Sequence, residues 1–185
     1  MKIYIIEKDK EKFKYLVPYF DEIEDVYLIN TDFKTFIQNN YVECIVSPAN
    51  SFGLMDGGYD MAITKYFGTN IQDKVQQYII ENYYGEQPIG TSFIIDINDN
   101  QKLIHTPTMR TPSRIKDELV IYQCMRTTLI TAIQNNIESI LIPMFGGLTG
   151  CIHPQVIAKM MLYAYEQVQN PPQEIRWENV KSLKQ

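Results

Sequence analysis

The sequence predicts an α/β fold in which a mixed, mostly parallel sheet carries helices on its faces. Three observations predict it. Short apolar, β-branched runs alternate with stretches of helical periodicity. Two strand-like runs meet at an Asn98-Asp99-Asn100 turn, which places a hairpin in an otherwise parallel arrangement. Three loops dense in Gly, Asn and Asp each follow a strand, where the binding sites of open α/β sheets lie.

The elements follow in order. Ile3 to Ile6 reads as a buried strand, and residues 8 to 20 place Phe13, Leu16, Val17 and Phe20 at helical spacing. Val26 to Ile29 is a second strand, and Cys44-Ile45-Val46 a third that ends at Pro48. Helices follow over Tyr59 to Tyr66 and Ile71 to Tyr84, the second carrying Val75, Tyr78, Ile79 and Asn82 on one stripe and closed by Gly85. Ser92 to Ile97 and Lys102 to His105 are the hairpin strands. Residues 117 to 136 form the longest helical pattern, with Tyr122, Met125, Leu129, Ala132 and Ile133 inward. Ile140-Leu141-Ile142 is the last strand and Gln155 to Gln169 the last helix. Residues 1–170 are therefore expected to form one domain. After Pro171-Pro172 the chain turns polar around Trp177, so residues 171–185 are expected to be a peripheral tail.

Composition excludes several classes. Asp and Glu outnumber Lys and Arg 22 to 17, for a net charge of -5, which argues against broad binding of a nucleic-acid backbone. The three cysteines, Cys44, Cys124 and Cys151, are far apart and odd in number, so they suit a reducing compartment better than a disulfide framework. With His105 and His153 the only histidines, no zinc motif can be assembled, and neither a metal nor a cofactor is expected. The N-terminus lacks the apolar stretch of a signal peptide and no run is long enough to span a membrane, which predicts a soluble, cytoplasmic protein.

The loops carry the chemistry. Asn30-Thr31-Asp32-Phe33 follows the second strand, a segment from Ser47 to Asp60 follows the third, and Pro143-Met144-Phe145-Gly146-Gly147-Leu148-Thr149-Gly150 follows the last. Three glycines in five residues let successive N–H groups face one concavity, an anion cradle to which the next helix can add its N-terminal charge. The loop is neither a Walker loop nor the dinucleotide fingerprint, and a glycine-rich turn that only reverses the chain is the plainer reading.

Together the loops resemble the macrodomain family, which binds ADP-ribose, of the type that processes ADP-ribose 1''-phosphate. Ser47-Pro48-Ala49-Asn50 and Gly57-Gly58-Tyr59-Asp60-Met61-Ala62-Ile63 match without a gap the family's Asn-Ala-Ala-Asn and glycine–Val-Asp-Gly-Ala-Ile segments. The likeness spans roughly residues 25 to 169, and it implies a three-layer α/β/α sandwich. Two departures stand out: Ser47 replaces the first Asn, and Met55-Asp56 breaks the glycine run.

The resemblance also implies roles. Asp32, with Phe33 beside it, would accept from the adenine amino group, or it caps the next short helix. Asn50, with Ala49, would meet a ribose hydroxyl, or it braces its own loop. Gly57, Gly58, Gly146, Gly147, Leu148, Thr149 and Gly150 would bring backbone to diphosphate and ribose. Asp60 would orient a water at the anomeric carbon of the distal ribose, or answer the macrodipole of its helix, with Asp56 a second candidate carboxylate. Arg110 and Arg114 are candidates to meet an anionic group or are surface charge. His105 reads as a satisfied, half-buried histidine, and Cys151 beside His153 suggests a nucleophile only faintly. The expected function is removal of ADP-ribose from a modified substrate by water, with a non-hydrolysing reader of ADP-ribose or a related nucleotide messenger as the alternative. The expected partner is ADP-ribose or an ADP-ribosylated substrate.

Overall fold

A computed structural model describes residues 1–177, including only part of the expected tail. Its elements are β1 (Lys2–Ile6), α1 (Lys10–Phe13), α2 (Val17–Phe20), β2 (Val26–Ile29), α3 (Phe33–Asn39), β3 (Cys44–Ser47), α4 (Gly58–Phe67), α5 (Asn70–Tyr83), β4 (Phe93–Asn98), β5 (Gln101–His105), α6 (Leu119–Gln134), β6 (Ser139–Pro143) and α7 (Pro154–Gln169). The six strands form one sheet in the order β2-β1-β6-β3-β5-β4. Every pairing is parallel except β4 with β5, which turn back through Asp99 and Asn100 as the hairpin signal predicts.

Alternation along the strands divides the interior into two cores. Ile3, Ile5, Cys44, Val46, Ile140 and Ile142 face one side, where α2, α6 and α7 cover them. Ile6, Ile45, Leu103 and Leu141 face the other, under α3, α4 and α5. The sheet between two helical layers is the predicted α/β/α sandwich. Because both faces are covered, the central strands read as unbroken apolar runs. Among the described residues, no helix is long and apolar enough to cross a membrane.

Several boundaries differ from expectation. The helix read over residues 8 to 20 is two short ones. Asp9 caps α1 by accepting from the Glu11 and Lys12 N–H groups. Pro18, in the first turn of α2, has no N–H to continue a helix from above. Ile133 is 48% exposed, not inward, because the buried stripe of α6 runs Ile121, Cys124, Met125, Thr128, Leu129 and Ala132, and the next residue turns about 100° away. Asn82 is likewise exposed, beyond the Ile71, Val75, Ile79 stripe. The left-handed residue that ends α5 is Tyr84 at φ 53°, one place before Gly85. Trp177 lies exposed after Pro171-Pro172, and residues 178–185 of the expected tail fall outside the described residues.

Candidate functional site

A cavity of about 520 Å³ opens along the C-terminal ends of the strands. Its lining begins with Asp32 after β2, passes Lys8 after β1 and Gly146 after β6, and reaches Asn50 after β3 and Thr108 after β5. With neighbouring strands about 4.8 Å apart, three to four spacings make a trough of about 14–19 Å, suited to an elongated ligand. Nearly all the predicted residues meet in it: Asp32, Phe33, Ala49, Asn50, Asp56, Gly57, Gly58, Asp60 and Gly146 to Gly150 are lining residues.

The loop after β6 is polarised. The backbone N–H groups of Gly146, Gly147, Leu148, Thr149 and Gly150 donate to no protein acceptor, whereas four of the loop's carbonyls are held. Gly146 O accepts from Ile152 N at 3.2 Å, Leu148 O from Cys151 N at 3.0 Å and Gly150 O from Ile115 N at 3.0 Å. Gly147 O accepts from the Lys12 ammonium at 2.7 Å, which adds a positive charge behind the loop. Five consecutive free N–H groups with their carbonyls turned away form an anion-binding nest. The glycines serve it differently. Gly146 has φ +72°, and a Cβ there would lie 2.8 Å from Ile121 and 2.9 Å from Ile115. A Cβ on Gly150 would meet Gly146 O at 2.7 Å. Gly150 is required by close backbone packing and Gly146 by its left-handed φ. Around Gly57 a Cβ would meet nothing within 4 Å, so that position is open.

The helix N-terminus at the cavity is that of α4, not of α7 as the sequence reading expected. Gly57, the N-cap of α4, offers no side-chain cap. α7 begins three residues beyond the glycine loop, outside the lining, and His153 caps it by accepting from Gln155 N at 3.3 Å. A single charged side chain sits deepest at the α4 end. Asp60 is half-buried and lines the cavity, and Ser47 Oγ donates to its Oδ1 at 2.6 Å. Burial of the charge pushes the Asp60 carboxyl up to about 7, partly opposed by the Ser47 hydroxyl, which favours the ionised form. Asp56 stands exposed on the rim with no hydrogen-bond or ion-pair partner, so the two carboxylates are not joined.

Other candidates have structural work. Asn50 is buried, its Oδ1 accepting from Phe52 N at 3.1 Å and Leu54 N at 3.3 Å while its Nδ2 donates to Leu54 O at 2.8 Å. The fold thus uses it to brace its loop, leaving one amide N–H. Asp32 is exposed and caps α3, accepting from Thr35 N at 3.0 Å and the Thr35 hydroxyl at 2.8 Å. Those bonds hold its carboxyl below the usual range, so it is an anion facing the trough. Phe33 is 3% exposed and packs edge-on against Tyr59 and Tyr66.

Arg110 and Arg114 lie outside the lining. Arg110 pairs bidentately with Glu86 at 2.7 and 2.9 Å over the Phe52 ring, clamping the loop after β3. His105 is fully buried, not half-buried. Its Nδ1 meets Gln87 Oε1 at 2.6 Å, its Nε2 has no partner, and burial depresses it to about 3, so it is neutral. The Cys151 thiol points to Leu148 O and His153 is spent on its cap, so they form no nucleophilic pair. Among the described residues no three His, Cys, Asp or Glu side chains are grouped to hold a metal ion.

The sequence reading noticed Ser47 only as a departure and missed Lys12 and Ile115. Ser47 and Asp60 are 13 residues apart and Lys12 and Gly147 are 135 apart, and no periodicity links either pair.

The sequence model of the Macro domain family matches residues 46–161. A protein of Aquifex aeolicus (strain VF5), described as an uncharacterized protein, is 28% identical over 123 residues, covering 65% of this chain and 70% of its own. Among solved structures, a variant of the Oceanobacillus iheyensis macrodomain with ADPR superposes at a TM-score of 0.61, with 22% identity over 71% of this chain and 73% of its own. The macrodomain of Mycobacterium tuberculosis DarG superposes at 0.60, with 18% identity over 70% of this chain and 85% of its own. At these identities the two structures speak for the fold.

Proposed function

On the premise that this chain belongs to the macrodomain family, as its match over residues 46–161 shows, we propose that the trough binds ADP-ribose and that the protein hydrolyses it from a modified substrate. The observation that carries the reading is the polarised loop after β6, whose five free N–H groups suit a diphosphate better than any side chain in the trough. The lining cations are Lys8 and Lys34, against Glu7, Asp32, Asp56 and Asp60, so recognition of an anion falls to the backbone. A structural neighbour solved with ADPR supports the choice of ligand.

In this reading the adenine lies at the β2 end, where the Asp32 carboxylate accepts from its amino group. The diphosphate rests on Gly146 to Gly150, and the distal ribose lies over the N-terminus of α4. Water then attacks the anomeric carbon. The bond to the carried group breaks with its electron pair going to that group, through a transition state of oxocarbenium character. Asp60 orients the water and accepts its proton, a task suited to a carboxyl that titrates near neutrality. Holding the water against a fixed sugar supplies much of the rate.

A reader without turnover is favoured by one observation, the commitment of the Asn50 amide to its own loop. Calorimetric titration with ADP-ribose, with AMP and NAD as controls, tests the shared part: micromolar binding is expected, and no heat with any of the three sinks it. Turnover of an ADP-ribosylated substrate separates the two readings. Asp60→Ala is expected to abolish it while leaving affinity within a few fold, and full activity in that variant overturns the role of Asp60.

A further inference from the structure

Ser47 closes β3 at the point where the chain leaves the sheet for the cavity. Its neighbours on the strand, Cys44, Ile45 and Val46, are fully buried and apolar, and Ser47 itself is 0% exposed. A hydroxyl buried there needs a partner. Its partner is the Asp60 carboxylate at 2.6 Å. The strand end is anchored on the β5 side: β6 pairs only with Cys44 and Ile45, but Ser47 pairs in register with His105, and Ser47 O accepts from Thr106 N at 2.9 Å.

Asp60, in contrast, sits in the first turn of α4. Its helix start has no side-chain cap to fix it, and no second side chain bonds its carboxylate. The Ser47 hydroxyl is therefore what ties the rotamer of this acid to the sheet. By taking Oδ1 it leaves Oδ2 as the oxygen without a side-chain partner. It is also a donor, so it favours the ionised carboxylate against the burial that disfavours it.

We infer that Ser47 is a positioning residue for Asp60, holding one carboxylate oxygen so that the other faces the trough. The inference rests on the proposed role of Asp60 in hydrolysis. It gives the departure from Asn at this position a function: the Ser47 hydroxyl meets the helix start from the strand end at 2.6 Å.

The test is a carbon-13 carboxyl titration of Asp60, assigned with Asp60→Asn, in the natural protein and in Ser47→Ala, alongside calorimetry with ADP-ribose and the pH profile of turnover. Loss of one hydrogen bond to the ionised form is expected to raise the Asp60 midpoint by about one pH unit. Affinity for ADP-ribose should stay within about twofold and KM should hold, while kcat at mildly acidic pH falls about tenfold with the acid limb moved by the same interval. Ser47→Thr, which keeps the hydroxyl, should restore both midpoint and limb. An unmoved midpoint in Ser47→Ala overturns the inference even if the protein hydrolyses its substrate. A raised midpoint in a protein without turnover leaves the Ser47–Asp60 coupling standing and removes the hydrolytic reading.

Discussion

Replacing Asp60 by Asn should make the protein more stable at alkaline pH, and the size of the gain follows from the site. The folded carboxyl titrates at about 7 against 3.8 in the unfolded chain, because the fold encloses a charge with one side-chain hydrogen bond to offset the lost water. A raised folded pKa means that the native state holds a proton which the unfolded state has released. Stability from this group is therefore complete below the unfolded value and is lost as pH rises to the folded one. The interval of about three pH units corresponds to about 4 kcal/mol as an upper bound, of which about 2–3 kcal/mol falls between about pH 5 and about pH 8.5. Asn carries no such titration. Thermal melts of the two proteins at those two pH values should show Asp60→Asn gaining about 5–10 °C relative to the natural protein on going to the higher pH. Parallel melting temperatures would mean that the carboxyl is no harder to ionise folded than unfolded, and the proton-accepting role assigned to it would lose its physical basis.

Two glycines that look alike in sequence should respond in opposite ways. Gly57→Ala, at an open position with φ -137°, is expected to leave the melting temperature within about 1 °C while weakening ADP-ribose binding severalfold. Gly146→Ala, where the Cβ meets Ile121 and Ile115 on left-handed backbone, is expected to destabilise by about 2 kcal/mol in urea unfolding. Asp32→Ala removes the cap of α3 and should cost about 1 kcal/mol in the same measurement, together with a loss of affinity for ADP-ribose larger than that for ribose 5-phosphate. Lys12→Met frees the carbonyl of Gly147, and calorimetry should show weaker ADP-ribose binding with reduced sensitivity to salt.

The sheet could be read because each central strand, such as Cys44 to Ser47, is a short run buried on both faces. The loops could be read because Gly, Asn and Asp mark where the backbone turns or exposes its N–H groups. What failed had physical reasons as well. Pro18 divides a stretch whose apolar spacing is helical throughout, because spacing records where side chains point and not whether an N–H is present. Asp32 and Asn50 line the trough, but the sequence does not tell how many of their hydrogen bonds the fold consumes. The bond from Ser47 to Asp60 and the tether of Lys12 to Gly147 depend on how strands are ordered in space, and that order is written in no local pattern.

The sheet order carries a consequence for how the molecule comes into being. Among the described residues β6 is the last of the six strands in chain order, yet it lies between β1 and β3. Until it is inserted, β1 with β2 and β3 with β5 are separate pieces lacking a common edge, and the nest on the β6 loop has neither the Lys12 tether nor the Ile115 contact that shape it. Such long-range pairing is slow to form. A growing chain therefore makes β1 to β5 with no trough at all, and occupancy by ligand would signal that β6 has threaded home.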